Sequence, residues 1–147
     1  REVPPSSLFR LVPEHVASRA ILALARSADG VLDEMSRLAA ALPHPPVSVI
    51  VFGSFARREA DVDSDIDVVV VRPADVDEDD EPWSASLEAW RSDVRRLTGN
   101  RVEVLEVSED EAATKLAGRS PVWANIRRDG RVVHGRTIDE LKAARVG

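Results

Sequence analysis

Residues 52–68 read Phe-Gly-Ser-Phe-Ala-Arg-Arg-Glu-Ala-Asp-Val-Asp-Ser-Asp-Ile-Asp-Val. The pair Gly53-Ser54 ends one apolar run, Val47–Phe52, and Asp65 and Asp67 open a second, Val68–Val71. Gly53 has no side chain, so the backbone there can turn tightly and approach a ligand closely. A helix starting just after it would point unpaired backbone N–H groups at a phosphate. Asp65 and Asp67 are two apart at the start of a strand-like run, which places both side chains on one face. Two acids side by side on an apolar strand repel each other and lose hydration, and a cation between them resolves both costs.

A phosphate cradle beside a carboxylate pair is a site for a nucleoside triphosphate and its metal. Gly53-Ser54, followed by Ser64-Asp65-Ile66-Asp67 and the valines, resembles the signature of the nucleotidyltransferase superfamily that includes DNA polymerase β. The closest likeness is to the small minimal nucleotidyltransferase domains of bacteria and archaea, strong over Gly53–Val71 and looser over residues 15–135. The resemblance implies an α/β domain with a small mixed sheet flanked by helices. It implies transfer of a nucleoside monophosphate, AMP in the first instance, from a Mg2+-bound triphosphate to a hydroxyl on a protein, a small molecule or an RNA. Asp65 and Asp67 would hold two Mg2+ ions, and a third carboxylate from a neighbouring strand would complete the set, which directs attention to Glu103. Similar domains often carry aspartate there. Glu106, three positions on, would face the other side of a regular strand. Gly53 and Ser54 would bind the triphosphate, and Arg57 matches the family's arginine. Arg58 stands where such domains commonly have glycine, and implies either a helix that continues or an extra cation near the phosphates. Similar domains often serve as antitoxins that adenylylate an all-helical toxin, and others follow a DNA-binding winged helix.

The bulk properties are compatible with this. A chain of 147 residues has the size of one domain, and 44% apolar residues suffice for a core. The absence of cysteine excludes disulfides, thiolate metal sites and a cysteine nucleophile. No apolar run approaches the ~20 residues that span a bilayer, and no signal peptide is visible, so a cytoplasmic protein is the default expectation. A net charge of −6 argues against a broad nucleic-acid surface. Eleven of the 26 acids fall between Glu59 and Glu81, against the single base Arg72, and this rim would repel free nucleic acid more than a magnesium-bound triphosphate. The chain begins with Arg1 and is expected to be a piece of a longer protein. Residues 1–14, with three prolines, read as an extension, such as the tail of an upstream winged-helix domain, and residues 15–147 as the nucleotidyltransferase domain.

Helical spacing of Leu24, Val31, Met35, Leu38 and Leu42 predicts a helix over Val16–Leu42, kinked near Gly30 and stopped by Pro43, Pro45 and Pro46. Strands are expected at Val47–Phe52, Ile66–Val71 and Arg101–Val107, with an edge strand at Val132–Val133. A short helix is expected over Ser54–Arg58, a turn over Ala60–Ser64 and an acidic loop over Arg72–Pro82. The next helix, Trp83–Leu97, would turn Leu87, Trp90, Val94 and Leu97 inward and end at Gly99-Asn100. Ser108 and Glu111 form a capping-box pattern, Pro121–Arg127 a short helix, and Ile138–Ala144 a last amphipathic turn or two.

Gly53-Ser54 alone is a common turn, and Asp65 and Asp67 alone could be a solvated strand end. Their joint occurrence between two apolar strands favours the metal site. Trp83, Trp90 and Trp123 read as core, and His15, His44 and His134 as ordinary surface or loop residues. Two other functions stay open: a catalytically weak or inactive module that binds nucleotide or a partner protein, and direct nucleic-acid binding, which the charge disfavours.

Overall fold

The computed structural model describes residues 29–60 and 64–144. The chain divides into two compact units, Arg1–Val31 and Leu32–Gly147, and the fold described below is that of the second. Residues 1–14, the part of the expected long helix before residue 29, and positions 61–63 of the expected turn lie outside the described residues.

Within the second unit, residues 32–40 are helical (α1) and the chain leaves the helix just before Pro43, where a missing N–H and a fixed φ forbid continuation. Then follow β1 (Ser48–Phe52), α2 (Gly53–Ala56), β2 (Ile66–Arg72), α3 (Glu81–Thr98), β3 (Val102–Ser108), α4 (Glu109–Ala117), α5 (Pro121–Asp129), β4 (Arg131–Gly135) and α6 (Ile138–Ala143). The four strands form one sheet in the order β3-β2-β1-β4. β1 is antiparallel to β2 and to β4, whereas β2 and β3 run parallel, joined through α3. The small mixed sheet and its flanking helices are the expected α/β architecture.

Both central strands are covered on both faces, which is why they are almost wholly apolar. On one face Ile50, Val69, Val71 and Val107 pack with Ala112 and Leu116 of α4, Trp123 and Ile126 of α5, and Leu141 of α6. On the other, α3 carries Trp83 and Trp90 inward, and the Trp90 indole donates to the Met35 carbonyl of α1 at 3.1 Å. Burying each aromatic or aliphatic side chain of these two layers contributes on the order of 2 kcal/mol. All three tryptophans are core residues, as expected.

Helix α3 starts two residues before its expected start. Asp80 accepts from the Trp83 N–H at 2.9 Å, and Pro82 sits in the first turn, where its missing N–H costs nothing. Part of the acidic stretch is therefore a helix cap. The buried stripe begins at Trp83, and Leu97, expected inside, is 48% exposed because it stands in the last turn with no covering element among the described residues. The helix ends at Gly99 with φ +80°, the left-handed cap that glycine favours. The Ser108–Glu111 capping box forms in both directions, at 3.2 and 2.8 Å. No helix among the described residues is long and apolar enough to cross a membrane.

Candidate functional site

The site lies where β1 ends and β2 begins. Phe52 pairs with Asp67 across β1 and β2, and Asp67 pairs with Glu103 across β2 and β3. Paired residues in adjacent strands project to the same face. Asp67 thus has the start of α2 on one side and Glu103 on the other. Gly53 is glycine for two reasons. Its φ is +71°, and a Cβ built there would stand 2.6 Å from the Asp67 Oδ2. The backbone comes this close to a carboxylate because the turn carries no side chain.

Asp67 is half-buried, and its pKa is raised above the ordinary carboxylate value. Burial is the main cause, followed by the neighbouring charges of Asp65 and Glu103, while Arg57 opposes the shift. The charges of Asp65, Glu103 and Arg57 are therefore felt at Asp67, with Gly53 against it and Ser54 next in the chain. Glu106, by contrast, lies on the opposite face. Its carboxylate accepts from Arg72 at 2.6 Å and from the Trp83 indole at 2.9 Å, which makes it a structural anchor for α3.

The arginines are placed differently from one another. Arg57 makes an ion pair with Glu59 at 2.9 Å, on the surface. Arg58 has φ +62°. Helix α2 ends at Ala56, so the chain turns at Arg58 and the expected continuation to Arg58 does not occur. An arginine adopts here the left-handed conformation that a glycine adopts at lower cost. The turn is closed by the Glu59 N–H donating to the Ser54 carbonyl at 2.8 Å.

Two neighbours of the site had not been singled out as site residues in the sequence. Arg101 approaches both carboxylate oxygens of Asp65, at 3.4 Å each. Asn100, read as a helix terminator, donates from its side chain to the Ser64 carbonyl at 2.8 Å, and the Ile66 N–H donates to the Arg101 carbonyl at 2.8 Å. These bonds fix residues 64–66 against the start of β3. The signal for Arg101 was its position two before Glu103: parallel pairing of β2 with β3 carries Arg101 to Asp65 as it carries Glu103 to Asp67.

The oxygen-only donor set Asp65, Asp67 and Glu103 suits a hard cation such as Mg2+. Burial and then the neighbouring charges of Asp65 and Glu103 disfavour the ionised form of Asp67, and a cation would favour it. As placed, the carboxylates are not a finished cage: among the described residues, no three acidic or imidazole side chains are gathered as a metal-holding group. Asp65 is engaged with Arg101 in an exposed, long ion pair, of the kind worth about 0–1 kcal/mol, so it can be exchanged for a stronger ligand.

Two consequences are measurable. Arg58→Gly and Arg58→Ala lose the same side chain, but only alanine keeps the left-handed strain. Denaturant unfolding should find the glycine variant about 1 kcal/mol more stable than the alanine variant; equal stability would contradict a strained Arg58. For Asp67, a folded pKa above the unfolded one costs stability at pH values above it, and the cost vanishes as pH falls below the unfolded carboxylate range. In chelator at pH 7, Asp67→Asn should therefore raise the melting temperature. The gain should shrink on approach to about pH 4. A gain independent of pH would mean that the ionised, half-buried carboxylate is not its source.

The model of the family described as nucleotidyltransferase domain matches residues 30–128. Among curated proteins none matches. Solved structures similar to the chain include a toxin–antitoxin complex with AMP-PNP, at 16% identity and TM-score 0.47 with 80% of each chain covered. Another is a tri-AMPylated Shewanella oneidensis HEPN toxin in complex with an MNT antitoxin, at 15% identity and TM-score 0.47, covering 81% of this chain and 83% of that one. The family match takes in Gly53, Ser54, Asp65, Asp67 and Glu103 together, and the chain belongs to the nucleotidyltransferase domain family.

Proposed function

We propose that the chain transfers a nucleoside monophosphate, AMP in the first instance, from a Mg2+-bound triphosphate to a hydroxyl acceptor. The observation that carries this reading is the position of Asp67, held between the missing side chain of Gly53 and the register partner Glu103, with Asp65 adding a third charge. Strand pairing has concentrated negative charge where an apolar strand begins, at a cost that cation binding offsets.

In this reading Asp65, Asp67 and Glu103 hold the divalent ions, and Gly53 and Ser54 lie along the triphosphate. Two ions bound there would neutralise charge on the phosphates and on the leaving pyrophosphate. Arg57, whose charge is felt at Asp67, would leave Glu59 for a phosphate oxygen. The acceptor oxygen attacks the α-phosphorus, the bond from that phosphorus to the β-phosphate bridging oxygen breaks, and pyrophosphate leaves. The hydroxyl proton passes to Glu103, the carboxylate on the edge strand, and from there to solvent. Of the acceptors considered, a helical partner protein, as in an antitoxin acting on its toxin, is the first to test.

A second reading is favoured by Arg101 on Asp65 and by Arg57 on Glu59. Both ion pairs hold site charges away from a ligand, as in a module that binds nucleotide without turning it over. Calorimetry with ATP and Mg2+, paired with an assay of pyrophosphate release in the presence of a hydroxyl acceptor, separates the two. The transferase should bind ATP and release pyrophosphate, and Asp65→Ala/Asp67→Ala should lower release by at least about a hundredfold. Binding without release in the wild type would favour the second reading, and undiminished release in the double variant would refute the first.

A further inference from the structure

A groove runs between α3 and the start of β3. Glu88, Arg91, Ser92 and Arg95 line it from the helix, and Arg101 and Glu103 from the strand side, around a cavity of about 110 Å3. Resting on the transferase reading above, we propose that this groove seats an acidic side chain of a protein acceptor while the acceptor's hydroxyl faces Glu103.

Three features carry this. First, the groove adjoins the site at the edge strand: Glu103 lines it and also pairs with Asp67, and Arg101 reaches from the groove to Asp65. Gly53 and Ser54 lie on the β1 side of Asp67, so the β3 side is the one left for the acceptor. Second, in a chain of net charge −6 the groove presents three arginines against two glutamates. Arg91 is held in place by donating to the Val102 carbonyl at 3.1 Å and by Glu88 at 3.5 Å, so little side-chain entropy remains to be lost on binding. Arg95, one turn further, is exposed, and its side chain makes no hydrogen bond or ion pair among the described residues. Guanidinium forks at helical spacing suit an oxyanion. Third, a cavity of about 110 Å3 holds one carboxylate with its waters, whereas a nucleic-acid strand needs a run of cations along its backbone.

The test compares two charge reversals on the same helix. Arg95→Glu changes the groove; Arg96→Glu makes the same change in net charge one residue on, at a side chain that pairs with Asp93 and does not line the groove. The probe is a synthetic peptide with one tyrosine flanked by glutamates, with inorganic phosphate as the second arm. Binding is followed by fluorescence anisotropy of the labelled peptide and, for phosphate, by calorimetry, and ATP affinity is measured in parallel. The wild type should bind the peptide, Arg95→Glu should weaken it about tenfold, and Arg96→Glu should leave it within about twofold. Equal weakening by both would reduce the effect to overall charge and overturn the proposal, as would a wild type that ignores the peptide. Phosphate binding at least as tightly as the peptide would make the groove a site for free phosphate and also overturn it. In each case retained ATP affinity leaves the transferase reading standing, because peptide binding is measured without turnover.

Discussion

The constraint on which the rest depends is the packing of the Asp67 carboxylate against a backbone that has no side chain. With 2.6 Å from a would-be Cβ to its Oδ2, any side chain at position 53 would displace the Asp67 carboxylate, and at φ +71° it would also be strained. The strand pairing that brings Phe52 opposite Asp67 is the same pairing that buries Val49–Val51 against Val68–Val70. Site and core are therefore one structure: a slip of one residue between β1 and β2 would turn Asp67 into the core and a valine toward the site.

Alternation along the strands then divides the charged residues by role. On β3, Glu103 takes the face of Asp67, while Glu106 takes the opposite face and holds Arg72 and Trp83. One acid sits at the site and the other fastens a helix, though they are three residues apart. Pairing of Glu106 with the nearly buried Arg72 keeps that charge from standing alone in an apolar layer. The same parallel register brings Arg101 to Asp65, which gives the free protein a weak counter-ion where the transferase reading places a metal.

Much of this was legible in residues 52–68. The two apolar runs, the glycine between strand and turn, and the acids at the start of β2 follow from local physics that tertiary structure has no reason to override. Glu103 was legible only through the resemblance, because nothing local distinguishes it from Glu106 until the register is known. The turn at Arg58 was not legible: sequence offered a continued helix or an added cation, and the fold instead forces an arginine into the left-handed region. Asn100 and Arg101 were missed because their partners, Ser64 and Asp65, are 36 residues away in sequence and adjacent only through the parallel pairing. Leu97 was misplaced because periodicity gives a helix face but not where the covering layer ends.

The central claim is that the carboxylates around Asp67, and not the more numerous acids of the loop before α3, take the divalent cation. Adding Mn2+ at substoichiometric levels to the 15N-labelled chain locates the ion by the amide signals it broadens. Broadening centred on Gly53, Asp67 and Glu103, abolished in Asp65→Ala/Asp67→Ala and reversed by excess Mg2+, is the predicted result. Broadening centred on Asp75–Glu81, unchanged in the double variant, would contradict the account.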